Sequence, residues 1–224
     1  MMVAERIKEL AELYLAPVKK VIEENGLSPS PFYMGGGCFK SLNYQRDCDI
    51  DLFAQSWEEF NSAHVSKNAI TAVKEGRTIQ FCKHWKDSLE KMVDSFDFAH
   101  TQCGVLVTPK FGEDGVTSYH VGEPFFTPAW SEWINTGKTN YTGTDYPLSS
   151  LIRAGKLFKK DFLKPKEYQT MLLRILIDVA ERGFKDGADL REQLNAIDLA
   201  YVVEDSKSTI YRLVEVLPSK KVSS

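Results

Sequence analysis

The chain has 224 residues, 43% hydrophobic and 26% charged, which is enough apolar material for a packed core without disulfide staples. Its formal charge of −3 and pI near 5.9 exclude a uniformly basic protein that coats nucleic acid and leave room only for a local basic face. The 4 cysteines form no CxxC pair, no apolar secretory segment follows Met1-Met2, and no run reaches the roughly eighteen apolar residues of a membrane span, so a reduced, cytoplasmic, non-membrane protein is expected.

In chain order, residues 3–25 carry apolar side chains at helical spacing, with Pro17 inside the run and Gly26 as its stop signal. The stretch "SPSPFYM" reads as a turn feeding a short strand, and Gly35, Gly36 and Gly37 follow it. "CDIDLFA" is a second strand, in which Ile50 and Leu52 alternate with Asp49 and Asp51, so the two carboxylates share one face. A third strand is expected at "RTIQFCKHW", a short helix at "KDSLEKMVD", and a fourth strand over "SFDFAHTQCGVLVTP". "KFGEDGVTSYHV" resembles a hairpin whose turn runs from Gly112 to Gly115. The aromatics of 125–146, among them Trp130, Trp133 and Tyr141, are read as packing in preference to a base-stacking surface. After Pro147 come three helical patterns, "LSSLIRAGKLFKKDF", "PKEYQTMLLRILIDVAERGF" and "GADLREQLNAIDLAYVV". The fold class expected is α/β (α+β): a mixed-sheet lobe over 1–147 followed by a helical lobe over 148–224.

A strand that ends in glycines and runs into a helix offers backbone N–H groups to an anion with no β-carbon in the way, which makes a phosphate seat. Asp49 and Asp51, two apart on a strand and so about 7 Å apart, suit an oxygen-liking divalent ion. This order of strand, Gly36-Gly37, short helix from Cys38 with Ser41 in its first turns, then D-x-D strand resembles the signature of the DNA polymerase β-like nucleotidyltransferase superfamily. The resemblance implies that Gly36, Gly37 and Ser41 touch the β- and γ-phosphates of an NTP and that Asp49 and Asp51 hold Mg²⁺ or Mn²⁺. It also implies a third carboxylate on a neighbouring strand. "FDF" supplies Asp97, with Phe96 and Phe98 turned to the core face, whereas Asp94 ends the preceding helix.

The longer pattern "NAITAVKEGRTIQFCKHW…VDSFDFAHTQC" is similar to nucleotidyltransferase-like proteins encoded by bacteriophages, over roughly residues 30–105. Those proteins tend to have a later basic helix ending in Gly-Phe, where this chain has Asp161-Phe162. On that helix Arg153, Lys156 and Lys159 recur one turn apart, and Arg153 and Lys156 are candidates to grip the triphosphate. The activity implied is transfer of a nucleoside monophosphate from NTP to a hydroxyl of RNA, protein or a small molecule, with pyrophosphate released and Asp97 as proton acceptor. The alternatives are a catalytically silent nucleotide- or partner-binding phage module, or the toxin of a toxin–antitoxin pair.

Three other signals carry less. Cys82-x-His84 and His100-x-x-Cys103 invite a zinc reading, but strand alternation would set His100 and Cys103 on opposite faces, so no zinc is expected. Asp47, beside Arg46, reads as a turn acid, and His100 reads as buried, hydrogen-bonded structure.

Overall fold

Helical spacing near the N-terminus becomes α1, Val3–Glu24, in the computed structural model, which describes residues 2–24, 29–46, 48–54, 69–74, 77–82, 87–112 and 117–195. Ile7, Leu10, Tyr14, Val18 and Val21 form the buried stripe of α1, and Pro17 lies within the helix. The expected stop at Gly26 lies outside the described residues.

Among the described residues seven strands form one mixed sheet: β1 (Phe32–Gly35), β2 (Ile50–Ala54), β3 (Ala69–Lys74), β4 (Arg77–Cys82), β5 (Cys103–Phe111), β6 (Thr117–Val121) and β7 (Phe125–Phe126). The spatial order is β3-β4-β2-β1-β5-β6, with β7 also paired to β5. β2 and β4 run parallel and the other pairings are antiparallel. β1 lies between β2 and β5, and all four of its residues are buried. Phe32 and Met34 join the large core under α1, whereas Tyr33 belongs to a second cluster with Phe53, Met92 and Val93. Met92 and Val93 come from α2, Leu89–Asp94, which Ser88 caps by accepting from Lys91 N at 3.2 Å. The sheet is therefore apolar on both faces where the glycine run begins.

Three expectations need correction. β3 pairs antiparallel with β4 over Ala69↔Cys82 to Lys74↔Arg77 and was not foreseen as a strand. "SFDF" is not part of β5: Asp94 does end α2, but Asp97 lies in a bend, Phe98 makes an isolated bridge to Tyr141, and Ala99–Thr101 is a 3-10 turn before the strand starts at Cys103. Asp97 therefore does not face away from a strand's core side; it is itself buried, like Phe98. The helix after β1 is a 3-10 turn over Gly36–Phe39 that starts at the glycine pair itself, so Ser41 falls beyond it. The hairpin expectation does hold, because β5 and β6 pair from Phe111↔Thr117 inward, although its turn residues 113–116 lie outside the described residues.

The chain divides into two compact units, Met1–Thr142 and Gly143–Ser224. The first also contains α3, Pro128–Thr136. The second contains α4 (Pro147–Lys159), α5 (Pro165–Arg182) and α6 (Gly187–Asn195), with α4 packed on both α5 and α6. After α4, Asp161 takes φ 57, Phe162 N donates to Leu157 O at 3.0 Å and Asp161 N to Phe158 O at 3.1 Å. These are the paired bonds of a Schellman ending, with aspartate at the left-handed position that glycine usually fills.

Close packing of α2 on the sheet accounts for two further glycines. Gly35 and Gly104 are register partners, and a β-carbon on Gly104 would lie 2.8 Å from Met92 Cε, 3.0 Å from Met34 O and 3.2 Å from Val93 Cγ2. Met92 can shift its tip, but the backbone oxygen has nowhere to go. Gly104→Ala is expected to destabilise the fold by about 1–3 kcal/mol in urea melts; a neutral Gly104→Ala would contradict this packing.

Candidate functional site

The site begins where β1 stops being a strand. Gly35 is the register partner of Asp51, so the glycine run emerges beside the carboxylate of β2. Gly36 turns the chain with φ +80, a left-handed conformation that L side chains rarely adopt. A β-carbon on Gly36 would lie 3.6 Å from Asp51 Oδ2 and 3.6 Å from Phe96 Cζ, which puts these three residues in contact distance of one another's space. Gly37 differs: its φ is not left-handed and a β-carbon there would meet nothing within 4 Å. The fold does not require glycine at 37, so its bare backbone leaves open a space that a side chain would fill.

Alternation on β2 sorts the acids from the core. Ile50 and Leu52 are buried, Asp49 is exposed just before the strand, and Asp51 is half-buried within it. Burial, followed by the nearby Asp49 carboxylate, pushes the Asp51 carboxyl up to about 7. The Cys38 and Cys82 thiols are pushed up mainly by burial, with Asp51 a further contributor to each. Asp51 thus sits in an apolar surround with one acid neighbour, an arrangement that favours either a proton or a cation.

The segment from the glycine turn to Gln45 is tied down by side chains distant in sequence. Trp130 Nε1 donates to Phe39 O at 3.1 Å and Trp133 Nε1 to Lys40 O at 2.8 Å, both from α3. From α1, Arg6 Nε donates to Leu42 O at 2.8 Å, and the Tyr14 hydroxyl accepts from Gln45 N at 3.2 Å. Tyr14 and Tyr44 stack at 5.4 Å, and the buried Arg77 guanidinium lies 4.5 Å from the Tyr44 ring centroid. The two indole N–H groups satisfy consecutive carbonyls where the 3-10 turn ends and so fix the direction in which the glycines present their amides. These residues were missed as functional candidates: their contacts span 91 and 93 positions for the tryptophans, and no local pattern announces them.

The bend carrying Asp97 has its own support. Thr142 N donates to Asp97 O at 2.9 Å, and the Phe96 carbonyl accepts from Gln102 Nε2 at 2.9 Å and Thr142 Oγ1 at 3.1 Å. The Phe96 ring meets Phe53 edge-on at 5.6 Å. His100 is buried, as expected of a structural histidine, with Nδ1 2.8 Å from Thr139 Oγ1, and burial with the nearby Lys40 charge lowers its pKa to about 4.

The expected site residues fall on several elements of the fold. Gly36, Gly37, Asp49 and Asp51 stand together at the end of β1 and start of β2. Ser41 lies past the turn, and its Oγ accepts from Asn43 N at 3.1 Å. Among the described residues no three His, Cys, Asp or Glu side chains form a group able to hold a metal ion, and Asp97 lies in the bend after α2. Arg153 and Lys156 belong to α4 of the second unit, where Arg153 Nη2 donates to Ser149 Oγ at 2.7 Å. Asp47 and His84 lie outside the described residues.

Two predictions follow from this geometry. With a folded pKa near 7 against an ordinary 3.8, Asp51 favours folding below about pH 4 and loses that contribution as pH rises through 7. In metal-free buffer Asp51→Asn is therefore expected to match wild type near pH 4 and to exceed it by roughly 1–3 kcal/mol at pH 8; urea melts across pH check the sign, and a variant less stable at pH 8 would show the charge to be paired. Trp133→Phe keeps a six-membered aromatic ring and removes the pyrrole half of the indole with its N–H donor. It should lower stability by about 0.5–1.5 kcal/mol and speed amide exchange at residues 37–41 above all, whereas uniform exchange would show that the indole does not hold the turn.

No protein-family model matches the chain, and no curated protein matches it. Its function has to be argued from the chemistry of these residues.

Proposed function

We propose that the chain is a metal-dependent nucleotidyltransferase of the DNA polymerase β-like superfamily, transferring a nucleoside monophosphate from an NTP to a hydroxyl acceptor. The observation that carries this reading is the pairing of an open, sterically unneeded glycine at 37 with the raised Asp51 carboxyl beside Gly36. The first suits a phosphate approaching bare backbone and the second suits the cation that accompanies it.

Asp49 and Asp51 fit Mg²⁺ or Mn²⁺. The half-buried Asp51 and its exposed neighbour Asp49 repel one another and gain from a shared cation, and Mg²⁺ commonly takes one or two carboxylates and completes its shell with substrate phosphates and water. A closed cage of three protein acids is therefore not needed for the ion to sit there. When bound, the ion would neutralise phosphate charge and make the acceptor hydroxyl easier to deprotonate. The chain's own part is to orient. Backbone N–H groups at Gly36 and Gly37 position the phosphates, and the tryptophan-anchored turn holds those amides before substrate arrives. The acceptor oxygen forms a bond to the α-phosphorus, the bond from that phosphorus to the bridging oxygen breaks, and pyrophosphate leaves with the electron pair. The hydroxyl proton passes to a carboxylate, for which Asp97 is the candidate, or to water.

A second reading has its own support. A nucleotide-binding module without transfer activity fits the same glycine turn, because seating a phosphate there needs only bare backbone amides and open space.

Labelling separates the two. The purified chain is incubated with each α-labelled NTP, Mg²⁺ or Mn²⁺, and total RNA or cell lysate. Transfer is expected for wild type and is expected to fall by orders of magnitude in Asp51→Asn. Gly37→Val should keep the wild-type melting temperature and lose NTP binding, because its side chain enters open space. Binding without labelling would support the silent module, and unchanged NTP affinity in Gly37→Val would remove the phosphate seat.

A further inference from the structure

We propose that the turn between α4 and α5 in the second unit is a docking surface for single-stranded nucleic acid. Lys159, Lys160, Lys164 and Lys166 are all exposed within eight positions of one another, and none of the ion pairs among the described residues involves them. Two acids lie among them, Asp161 at the left-handed turn position and Glu167, whose carboxylate accepts from Lys164 N at 2.9 Å, so residues 159–167 keep a formal charge of +2. On a chain with a formal charge of −3, this is a local reversal of sign.

Helix electrostatics explain half of the cluster and leave the other half unexplained. Lys159 and Lys160 stand at the C-terminus of α4, where the helix dipole favours a cation. Lys164 and Lys166 stand at the N-terminus of α5, where the same dipole disfavours one. Their placement works against the helix, so the charge there answers to something other than folding.

An aromatic platform stands beside the lysines. Phe158, near the end of α4, and Tyr168, near the start of α5, stack with centroids 4.5 Å apart and planes 6° apart. Phe158 is 37% exposed. Lysines that track phosphates next to a flat aromatic surface are what single-stranded nucleic acid uses, whereas an acidic peptide would need only the charge. Duplexes, whose bases are already stacked, have no use for the ring.

The test is fluorescence anisotropy with a labelled mixed-sequence 20-nucleotide RNA, without NTP or divalent metal, so that its outcome is separate from that of nucleotidyl transfer. Wild type should bind, and duplex RNA should bind more weakly. Lys164→Glu/Lys166→Glu should weaken binding at least tenfold with melting temperature unchanged or raised, since carboxylates match that helix end. The dependence of log K on log salt should become shallower by about 1.4, for two phosphate contacts on a single strand. Phe158→Ala should weaken binding without changing that slope, and Lys110→Glu on the first unit should change neither. Undiminished binding in the double variant overturns the proposal, and so does polyglutamate competing as well as RNA, which would make the turn a site for acidic protein.

Discussion

Everything at the candidate site depends on the turn the chain makes at Gly36. β1 lies in the middle of the sheet with apolar layers against both faces, so it cannot bend gradually as it leaves. It leaves abruptly, through a residue at φ +80 whose missing β-carbon would have stood 3.6 Å from Asp51. One backbone torsion thereby brings a run of bare amides and a carboxylate side by side. A non-glycine residue there would meet the torsional penalty of a left-handed backbone, with its β-carbon in ordinary contact with the carboxylate.

Rigidity on either side makes that torsion useful. Before it, the Gly35↔Asp51 and Gly35↔Gly104 pairings fix the strand end, and the absence of side chains at Gly35 and Gly104 lets α2 lie close. After it, indole donors from α3 and the Arg6 and Tyr14 side chains of α1 hold backbone groups at residues 39, 40, 42 and 45. The carbonyls that a four-residue 3-10 turn leaves unsatisfied are taken up by fixed side chains in place of water. A ligand arriving at such a turn has little ordering left to do.

Much of this was legible in the sequence because it is local. Alternation of Ile50 and Leu52 against Asp49 and Asp51 needs only strand periodicity, and the α1 stripe needs only helical periodicity. The failures have equally definite causes. Phe96-Asp97-Phe98 alternates over three residues, too few to separate a strand from a bend, and Gln102 with Thr142 fixes the bend from outside it. β3 is drawn into the sheet by its pairing with β4, a tertiary effect on a short apolar run. Asp161 holds the left-handed ending of α4 at the position where the resemblance would put glycine, because aspartate tolerates that backbone region better than most residues. The tryptophan contacts left no sequence signal, since hydrogen bonds across 91 or 93 positions exist only once the fold has formed.

The central claim is that Gly36, Gly37, Asp49 and Asp51 together make one phosphate-and-cation seat. Its most direct measurement is anomalous scattering from crystals grown with Mn²⁺ and an NTP analogue that cannot be cleaved. The account predicts a manganese peak bound by the Asp49 and Asp51 carboxylates, bridged to phosphate oxygens that lie over the Gly36 and Gly37 amides. Nucleotide bound elsewhere on the chain, or manganese absent from those two carboxylates with nucleotide present, would contradict it.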